Sequence, residues 1–184
     1  LLLFAGWELI IIGALCVLFA FLYTTGPYPL SYNGWGDVLV IIFFGFVPVG
    51  GTYYVQALTW TPDVTIASFI CGLLIDTLLV VNNYRDREAD ARSGKRTVIV
   101  RFGEKFGRYF YLLLGISASL LCLYFLREGH IYAALLPQFY LVPHVLTWRR
   151  MVKIHSGKKL NSILGETSRN MPVSYTHLTL PTKL

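Results

Sequence analysis

Three side chains with oxygen ligands recur at a four-residue spacing near the middle of the chain: Asn82, Asp86 and Asp90. On an α-helix these positions span about 80° of one face, and Asp86 and Asp90 stand about 6 Å apart along the axis. Mg²⁺ prefers oxygen ligands and completes its shell with water and phosphate oxygens. This acidic stripe, as Asn82, Asp86 and Asp90 are termed below, is therefore a candidate magnesium site.

Basic residues follow the acidic stripe. Gly94 allows the chain to turn, and Lys95 and Arg96 come directly after it. Both cations can bind phosphate oxygens that a metal leaves uncovered. The combination predicts a site for a magnesium-bound diphosphate. An allylic diphosphate suits such a site, because metal and cations stabilise the departing diphosphate while carbon gains positive charge.

The spacing alone leaves a plainer interpretation open. Mixed charges beside a membrane are commonly a solvated loop that contacts anionic lipids. Arg85 and Arg87 stand between the stripe residues and could simply pair with the carboxylates. Under this interpretation the protein is a non-catalytic transporter or scaffold.

Apolar helices must position the stripe. Of the 184 residues 55% are hydrophobic and 14% are charged, whereas a soluble domain carries about 25% charge. Helices are the economical way to span a bilayer, because the lipid satisfies no free backbone polar group. The sequence therefore predicts an all-α membrane protein, a multi-span helical bundle. Its predicted spans are residues 7–23, 38–55, 64–81, 109–126 and 131–148.

The basic residues predict the orientation of the bundle. Thirteen of the sixteen Lys and Arg residues lie in two segments, 82–108 and 149–159. Two predicted spans separate these segments, so both lie on one side, and the positive-inside rule makes that side cytoplasmic. We therefore expect a multi-pass protein of the inner membrane with the stripe facing the cytoplasm. Placed in this way, the net charge of +6 gives no support for a nucleic-acid partner.

A longer pattern surrounds the stripe. Residues 82–103 read Asn-Asn-Tyr-Arg-Asp-Arg-Glu-Ala-Asp-Ala-Arg-Ser-Gly-Lys-Arg-Thr-Val-Ile-Val-Arg-Phe-Gly. This run closely resembles the second aspartate-rich motif of the UbiA superfamily of intramembrane aromatic prenyltransferases. Its Gly-Lys-Arg-Thr portion is similar to the 1,4-dihydroxy-2-naphthoate polyprenyltransferase branch. Residues 23–36 and 164–170 resemble the same branch, and the resemblance covers residues 7–171.

The resemblance implies a fold and an activity. The fold would have nine spans, of which this chain holds five complete ones and the start of a sixth. The activity would be transfer of a polyprenyl group from polyprenyl diphosphate to 1,4-dihydroxy-2-naphthoate with decarboxylation, giving demethylmenaquinone in menaquinone biosynthesis. Sister enzymes that act on 4-hydroxybenzoate, haem or chlorophyllide remain alternatives.

The resemblance also implies roles for the motif residues. Asp86 and Asp90 would be catalytic ligands of Mg²⁺, with Asn82 beside them, and Lys95 and Arg96 would bind the diphosphate. The family's first aspartate motif, on an earlier helix, is not in this sequence, so we expect the chain to be inactive alone.

Asp76 is a further candidate catalytic residue. It lies within a predicted span, and a carboxylate there is a functional hypothesis by default. It stands about 15 Å along the axis from Asp86 and cannot share its metal. It could position the aromatic acceptor or take its proton, and a structural buried aspartate is an equally open interpretation.

Four other residues are candidates for the acceptor site or its cavity. Tyr28, Tyr32 and Asn33 lie in a loop predicted on the same side as the stripe. Aromatic residues there are ordinarily interfacial anchors, but this loop could also cover the cavity. Arg169 begins the last helix and could hold a carboxylate or phosphate, although positive-inside flanking explains it equally well.

The two ends of the sequence differ from the rest. The chain begins inside an apolar stretch without an initiator Met, so we expect further chain upstream. Residues 172–184 turn polar and resemble translated adapter sequence. We therefore expect a non-native tail there, with residues 1–171 as the C-terminal part of a membrane prenyltransferase domain.

Overall fold

The computed structural model describes residues 6–127 and 129–179. Helices form nearly all of this part of the chain, and it contains no strand, which confirms the predicted all-α class. The helices are α1 (Glu8–Thr24), α2 (Gly36–Ala57), α3 (Pro62–Arg92), α4 (Val98–Leu126), α5 (Ile131–Ile154) and α6 (Asn161–Thr179). Helix α6 thus continues into the expected tail, of which residues 180–184 lie outside the described residues.

Among the described residues, three helices are long and apolar enough to cross a membrane. They are α2, α3 and α4, with 22, 31 and 29 residues. They contain the predicted spans 38–55, 64–81 and 109–126, which are thereby confirmed. The predicted span 7–23 lies on a shorter apolar helix, Leu9–Thr24. The predicted span 131–148 lies on α5, which a 3-10 segment at Leu136–Tyr140 interrupts.

Helix α3 carries the acidic stripe, and both of its ends follow from the sequence. Thr61 caps the first turn, because its hydroxyl accepts a hydrogen bond from the Val64 N–H at 3.3 Å. Pro62 occupies the first turn, where its missing N–H costs nothing. The chain leaves α3 through Gly94, whose φ is +79°, a conformation that favours glycine. The predicted turn at Gly94 is confirmed.

Helix α2 runs antiparallel to α3 at close range. A Cβ atom built on Gly45 would stand 2.9 Å from Cα of Gly72, and one built on Gly72 would stand 2.9 Å from Cα of Ile41. Nearer the stripe, a Cβ on Gly36 would stand 3.4 Å from Leu79. Small residues thus let the two backbones approach, as is common between membrane helices.

Helices α4, α5 and α6 complete the core beside α3. Tyr111 of α4 is fully buried, and its hydroxyl lies 3.0 Å from the hydroxyl of Thr167 on α6. The His144 ring of α5 stacks on Tyr111 and on Tyr140, and its Nδ1 lies 2.9 Å from the Tyr140 hydroxyl. His144 is therefore a structural residue of this core.

Candidate functional site

The acidic stripe lies on the last turns of α3, beyond the apolar stretch 64–81. Arg85 organises it. Its Nε and Nη2 donate to the two oxygens of Asp86 at 2.7 and 2.6 Å, and Nη2 also donates to Oδ1 of Asn82 at 2.6 Å. Its Nη1 donates to Oδ1 of Asn161 at 2.9 Å. One guanidinium therefore joins Asn82 to Asp86 and connects α3 to the start of α6.

Asp90 has a different cation. The Nζ of Lys95 lies 3.3 Å from Oδ2 of Asp90, and the Lys95 N–H donates to the Asp90 carbonyl at 2.9 Å. The Asp90 side chain is 13% exposed, whereas that of Asp86 is 39% exposed. The turn at Gly94 thus brings Lys95 back onto the stripe, while Arg96 is exposed.

Arg87 does not join the stripe. It forms an ion pair with Glu104 of α4 at 3.4 Å and donates to the Tyr84 carbonyl at 2.7 Å. The Tyr84 hydroxyl donates to Glu104 at 2.9 Å, and Arg108 also pairs with this carboxylate. Of the two arginines that stand between the stripe residues, Arg85 thus pairs with a stripe carboxylate and Arg87 does not.

Glu104 forms a cluster with Tyr84, Arg87 and Arg108, and this Glu104 cluster was not predicted from the sequence. It lies on the side of α3 opposite the stripe, since Tyr84 is about 160° around the helix from Asp86. The cluster connects the outer turns of α3 to α4 and so holds the helix segment that presents the stripe. A glutamate 20 residues after Tyr84 gives no local signal of this contact.

The loop before α2 packs on the turn that carries Lys95 and Arg96. The Arg96 N–H donates to the Tyr32 carbonyl at 2.7 Å, and Nη2 of Arg101 donates to the Asn33 carbonyl at 2.7 Å. Gly34 has a φ of +82°, and a Cβ on it would stand 3.0 Å from the Arg96 carbonyl oxygen. The loop therefore lies on the stripe side, as predicted, and it contacts the motif through its backbone.

The candidate cavity side chains are placed unequally. The rings of Tyr28 and Tyr32 are 57% and 43% exposed. The Asn33 side chain donates to the carbonyl of Pro29 at 2.9 Å, which closes its own loop. Arg169 is exposed on α6, about 12 Å of helix rise beyond Asn161, which contacts Arg85. The structure thus places Tyr32 and Asn33 near the motif and leaves Arg169 farther along α6.

Asp76 is fully buried in α3, and neither of its carboxylate oxygens has a hydrogen-bond partner among the described residues. Asp37, at the start of α2, is 7% exposed and interacts electrostatically with Asp76. Sequence reasoning missed Asp37, because an aspartate just before an apolar stretch is an ordinary residue of a helix first turn.

The oxygen donors of the acidic stripe can be compared with the ligands that a magnesium ion requires. Within residues 6–127 and 129–179 there is no group of three or more His, Cys, Asp or Glu side chains that could hold a metal. Two carboxylates and one amide oxygen lie along the stripe. They have the hard oxygen donors that Mg²⁺ prefers, and they amount to part of its six-ligand shell.

Comparison with known proteins extends these observations. The model of the UbiA prenyltransferase family matches residues 1–164. The chain belongs to the UbiA prenyltransferase family. The resemblance drawn from residues 82–103 is confirmed.

Individual relatives agree with this assignment. The 1,4-dihydroxy-2-naphthoate octaprenyltransferase of Escherichia coli K12 is 40% identical over 114 residues, which are 62% of this chain and 37% of that protein. The protein of the same name from Mycobacterium leprae is 43% identical over 122 residues, 65% of this chain and 40% of that protein. The UbiA prenyltransferase domain-containing protein 1 of Dictyostelium discoideum is 27% identical over 163 residues, 86% of this chain and 47% of that protein.

The chain spans less than half the length of each of these three relatives. No solved structure matches the chain.

Proposed function

We propose that the full-length protein transfers a polyprenyl group from polyprenyl diphosphate to 1,4-dihydroxy-2-naphthoate, with loss of carbon dioxide, in the inner membrane. The names of the relatives support the acceptor. The observation that carries the proposal is the grouping of Asp86, Asp90 and Lys95 at the outer end of α3, with the Lys95 ammonium 3.3 Å from Asp90. Carboxylates for a metal and a cation for phosphate are what binding of a diphosphate requires.

The stripe fits a magnesium ion in its chemistry. Asp86 and Asp90 would hold Mg²⁺, with Asn82 beside them, and water and diphosphate oxygens would complete the shell. When bound, the ion supplies positive charge that stabilises the departing diphosphate. The family's first aspartate motif would contribute further ligands in the full-length protein.

The basic residues beside the stripe would also bind the diphosphate. Arg85 and Lys95 now neutralise Asp86 and Asp90. If a metal takes over the two carboxylates, both cations become available to phosphate oxygens, and the exposed Arg96 adds a third. The guanidinium of Arg85 suits bidentate phosphate binding, whereas Lys95 acts as a compact charge.

The remaining candidate residues would form the binding site of the aromatic acceptor. The loop with Tyr28, Tyr32 and Asn33 would cover the site from the cytoplasmic side, and Arg169 would line the cavity farther along α6. Asp76, buried without a partner, would take part in handling the acceptor. The basic segments 82–108 and 149–159 support a cytoplasmic orientation of this end of the bundle.

The test uses the full-length protein in membranes, supplied with a polyprenyl diphosphate and 1,4-dihydroxy-2-naphthoate. Asp86→Asn and Asp90→Asn are each expected to reduce magnesium-dependent prenylation by about a hundredfold or more, since each removes a negative ligand of the ion that would stabilise the departing diphosphate. Glu88→Gln is the matched control, because Glu88 lies on the same helix segment with a 69% exposed side chain. Its turnover should remain that of the wild type.

Three outcomes contradict parts of the proposal. Normal turnover in either Asn variant at unchanged membrane abundance excludes the assigned ligand role. Turnover with 4-hydroxybenzoate in place of the naphthoate identifies a sister enzyme. Movement of the diphosphate across the membrane without its consumption identifies a transporter.

A further inference from the structure

Two carboxylates are buried together where α2 begins. Asp37 is 7% exposed and Asp76 is fully buried, and the two interact electrostatically. Their proximity follows from the helix packing, because a Cβ on Gly36 would stand 3.4 Å from Leu79, one turn of α3 beyond Asp76. The same Cβ would stand 3.6 Å from the Tyr23 hydroxyl, so α1 also reaches this place.

The pair lacks the partners that buried acids normally have. Both oxygens of Asp76 are without a hydrogen bond in the described part of the chain, and none of the ion pairs formed there involves Asp37 or Asp76. Buried polar groups in folded proteins are hydrogen-bonded with few exceptions, and an exception calls for an explanation. Two neighbouring carboxylates without a cation repel each other when both are charged, so the pair is expected to hold a proton. The free oxygens of Asp76 then need a donor that the described part of the chain does not supply.

Tyr23, whose hydroxyl reaches the helix contact beside the pair, also lines an apolar cavity. The cavity lies between α1 and α2 and has a volume of about 280 Å³. Its wall is largely aromatic, with Phe19, Phe43 and Phe44 beside Tyr23. Tyr23 interacts electrostatically with both acids of the pair. This volume lies near the lower end of small-ligand sites, which hold roughly 300–1,000 Å³. The cavity therefore suits a compact aromatic ring better than a long polyprenyl chain.

We propose that Asp76, with Asp37 as its positioning residue, receives a ring hydroxyl of the aromatic acceptor, whose ring lies in the cavity beside Tyr23. This inference rests on the proposed function. The hydroxyl donates to the unpartnered oxygen of Asp76, and Asp37 stays protonated so that the two acids do not repel each other. Asp76 then acts as catalytic base.

The proton and electron pairs balance over the reaction. The hydroxyl proton passes to Asp76, and the freed electron pair on oxygen moves into the ring. The ring carbon that bears the carboxylate forms a bond to the allylic carbon, while the bond from the allylic carbon to the diphosphate oxygen breaks and its electron pair leaves with the diphosphate. Loss of carbon dioxide returns its bonding pair to the ring and restores the charge on oxygen. Asp76 gives the proton back to that oxygen.

A binding experiment on the full-length protein tests this directly. The probes are 1,4-dihydroxy-2-naphthoate and 1,4-dimethoxy-2-naphthoate, which keeps the ring and the carboxylate but has no hydroxyl donor. Wild type should bind the dihydroxy compound at least about tenfold more tightly, since the dimethoxy compound leaves a buried acceptor unsatisfied. This preference should fall to within about twofold in Asp76→Asn and weaken in Asp37→Asn.

Kinetics separate positioning from catalysis. Asp76→Asn should lower kcat about a hundredfold, the size of a general-base effect. Asp37→Asn should raise KM for the naphthoate about tenfold, and neither variant should change KM for the polyprenyl diphosphate. Asp63→Asn is the matched control, because Asp63 lies in the first turn of α3 and accepts from Tyr124 at 3.1 Å. It should change none of these constants.

The outcomes are distinguishable. An unchanged preference for the dihydroxy probe in both Asn variants, with normal prenylation, overturns this inference and leaves the proposed function intact. Absence of prenylation in wild type refutes the proposed function instead. If an Asn variant fails to accumulate, Tyr23→Phe removes only the hydroxyl beside the pair. It should weaken binding of the dihydroxy probe several-fold, and undiminished binding overturns the inference.

Discussion

The close contact between α2 and α3 predicts a large effect from one added methyl group. A Cβ on Gly45 would stand 2.9 Å from both Cα and N of Gly72, and it would meet the Ser68 carbonyl oxygen more closely still. Non-bonded carbon atoms prefer about 3.5–4.0 Å, so in Gly45→Ala the helices must separate by roughly 0.5–1 Å. Backbone atoms cannot swing away as a flexible side chain does. The expected cost is about 1–3 kcal/mol, the range for overpacked interiors.

Gly51→Ala is the matched control on the same helix. A Cβ on Gly51 would meet nothing within 4 Å. Alanine has a higher helix propensity than glycine by about 1 kcal/mol, and both variants receive this gain. The difference between Gly45→Ala and Gly51→Ala therefore isolates the steric term.

Thermal unfolding of the full-length protein in detergent measures that difference. A difference of 1 kcal/mol corresponds to about 2–4 °C in Tm for 150–250 residues and to less for a longer chain, so Gly45→Ala should melt below Gly51→Ala by up to roughly 12 °C. A Gly45→Ala protein that melts at or above the Tm of Gly51→Ala would refute the helix contact. The register that places Asp37 beside Asp76 would then be wrong as well.

Two further perturbations test how the stripe is held. Gly34→Ala and Gly26→Ala both force alanine into a left-handed conformation, but only a Cβ on Gly34 would press on the Arg96 carbonyl, at 3.0 Å. Gly34→Ala should therefore show the lower Tm of the two variants, by about 2–4 °C. Equal Tm values would exclude the contact between the loop and Arg96. Glu104→Gln weakens the ion pairs between α3 and α4 and should lower the free energy of unfolding by about 1 kcal/mol. Glu88 has a 69% exposed side chain, so Glu88→Gln should change the free energy of unfolding by no more than about 0.5 kcal/mol. The same thermal unfolding measurement compares the two variants.

The stripe could be predicted because its geometry is local. Asn82, Asp86 and Asp90 lie within one helix, and helix spacing alone determines which residues share a face. The turn at Gly94 is equally local, since a glycine with φ of +79° follows the end of α3. The return of Lys95 to Asp90 follows from that turn.

The two arginines within the stripe show where such reasoning ends. Arg85 and Arg87 are two positions apart, and Asp86 stands between them in the sequence. Residues two apart do not share a helix face, so Arg85 binds Asp86 while Arg87 binds Glu104. Which arginine pairs with the stripe depends on the position of α4, and the local sequence contains no information about that position.

The acid pair depends on tertiary packing even more strongly. Asp76 was recognised as a candidate because a carboxylate within an apolar span is costly wherever it lies. Asp37 stands one residue before the predicted span 38–55, a position where a carboxylate is ordinarily solvated. It is buried because the glycines at positions 45 and 72 allow α2 to approach α3 at backbone distance. The glycines and the two acids therefore form one arrangement: close packing makes the pair, and the pair then requires a proton or a hydroxyl donor that α2 and α3 do not supply.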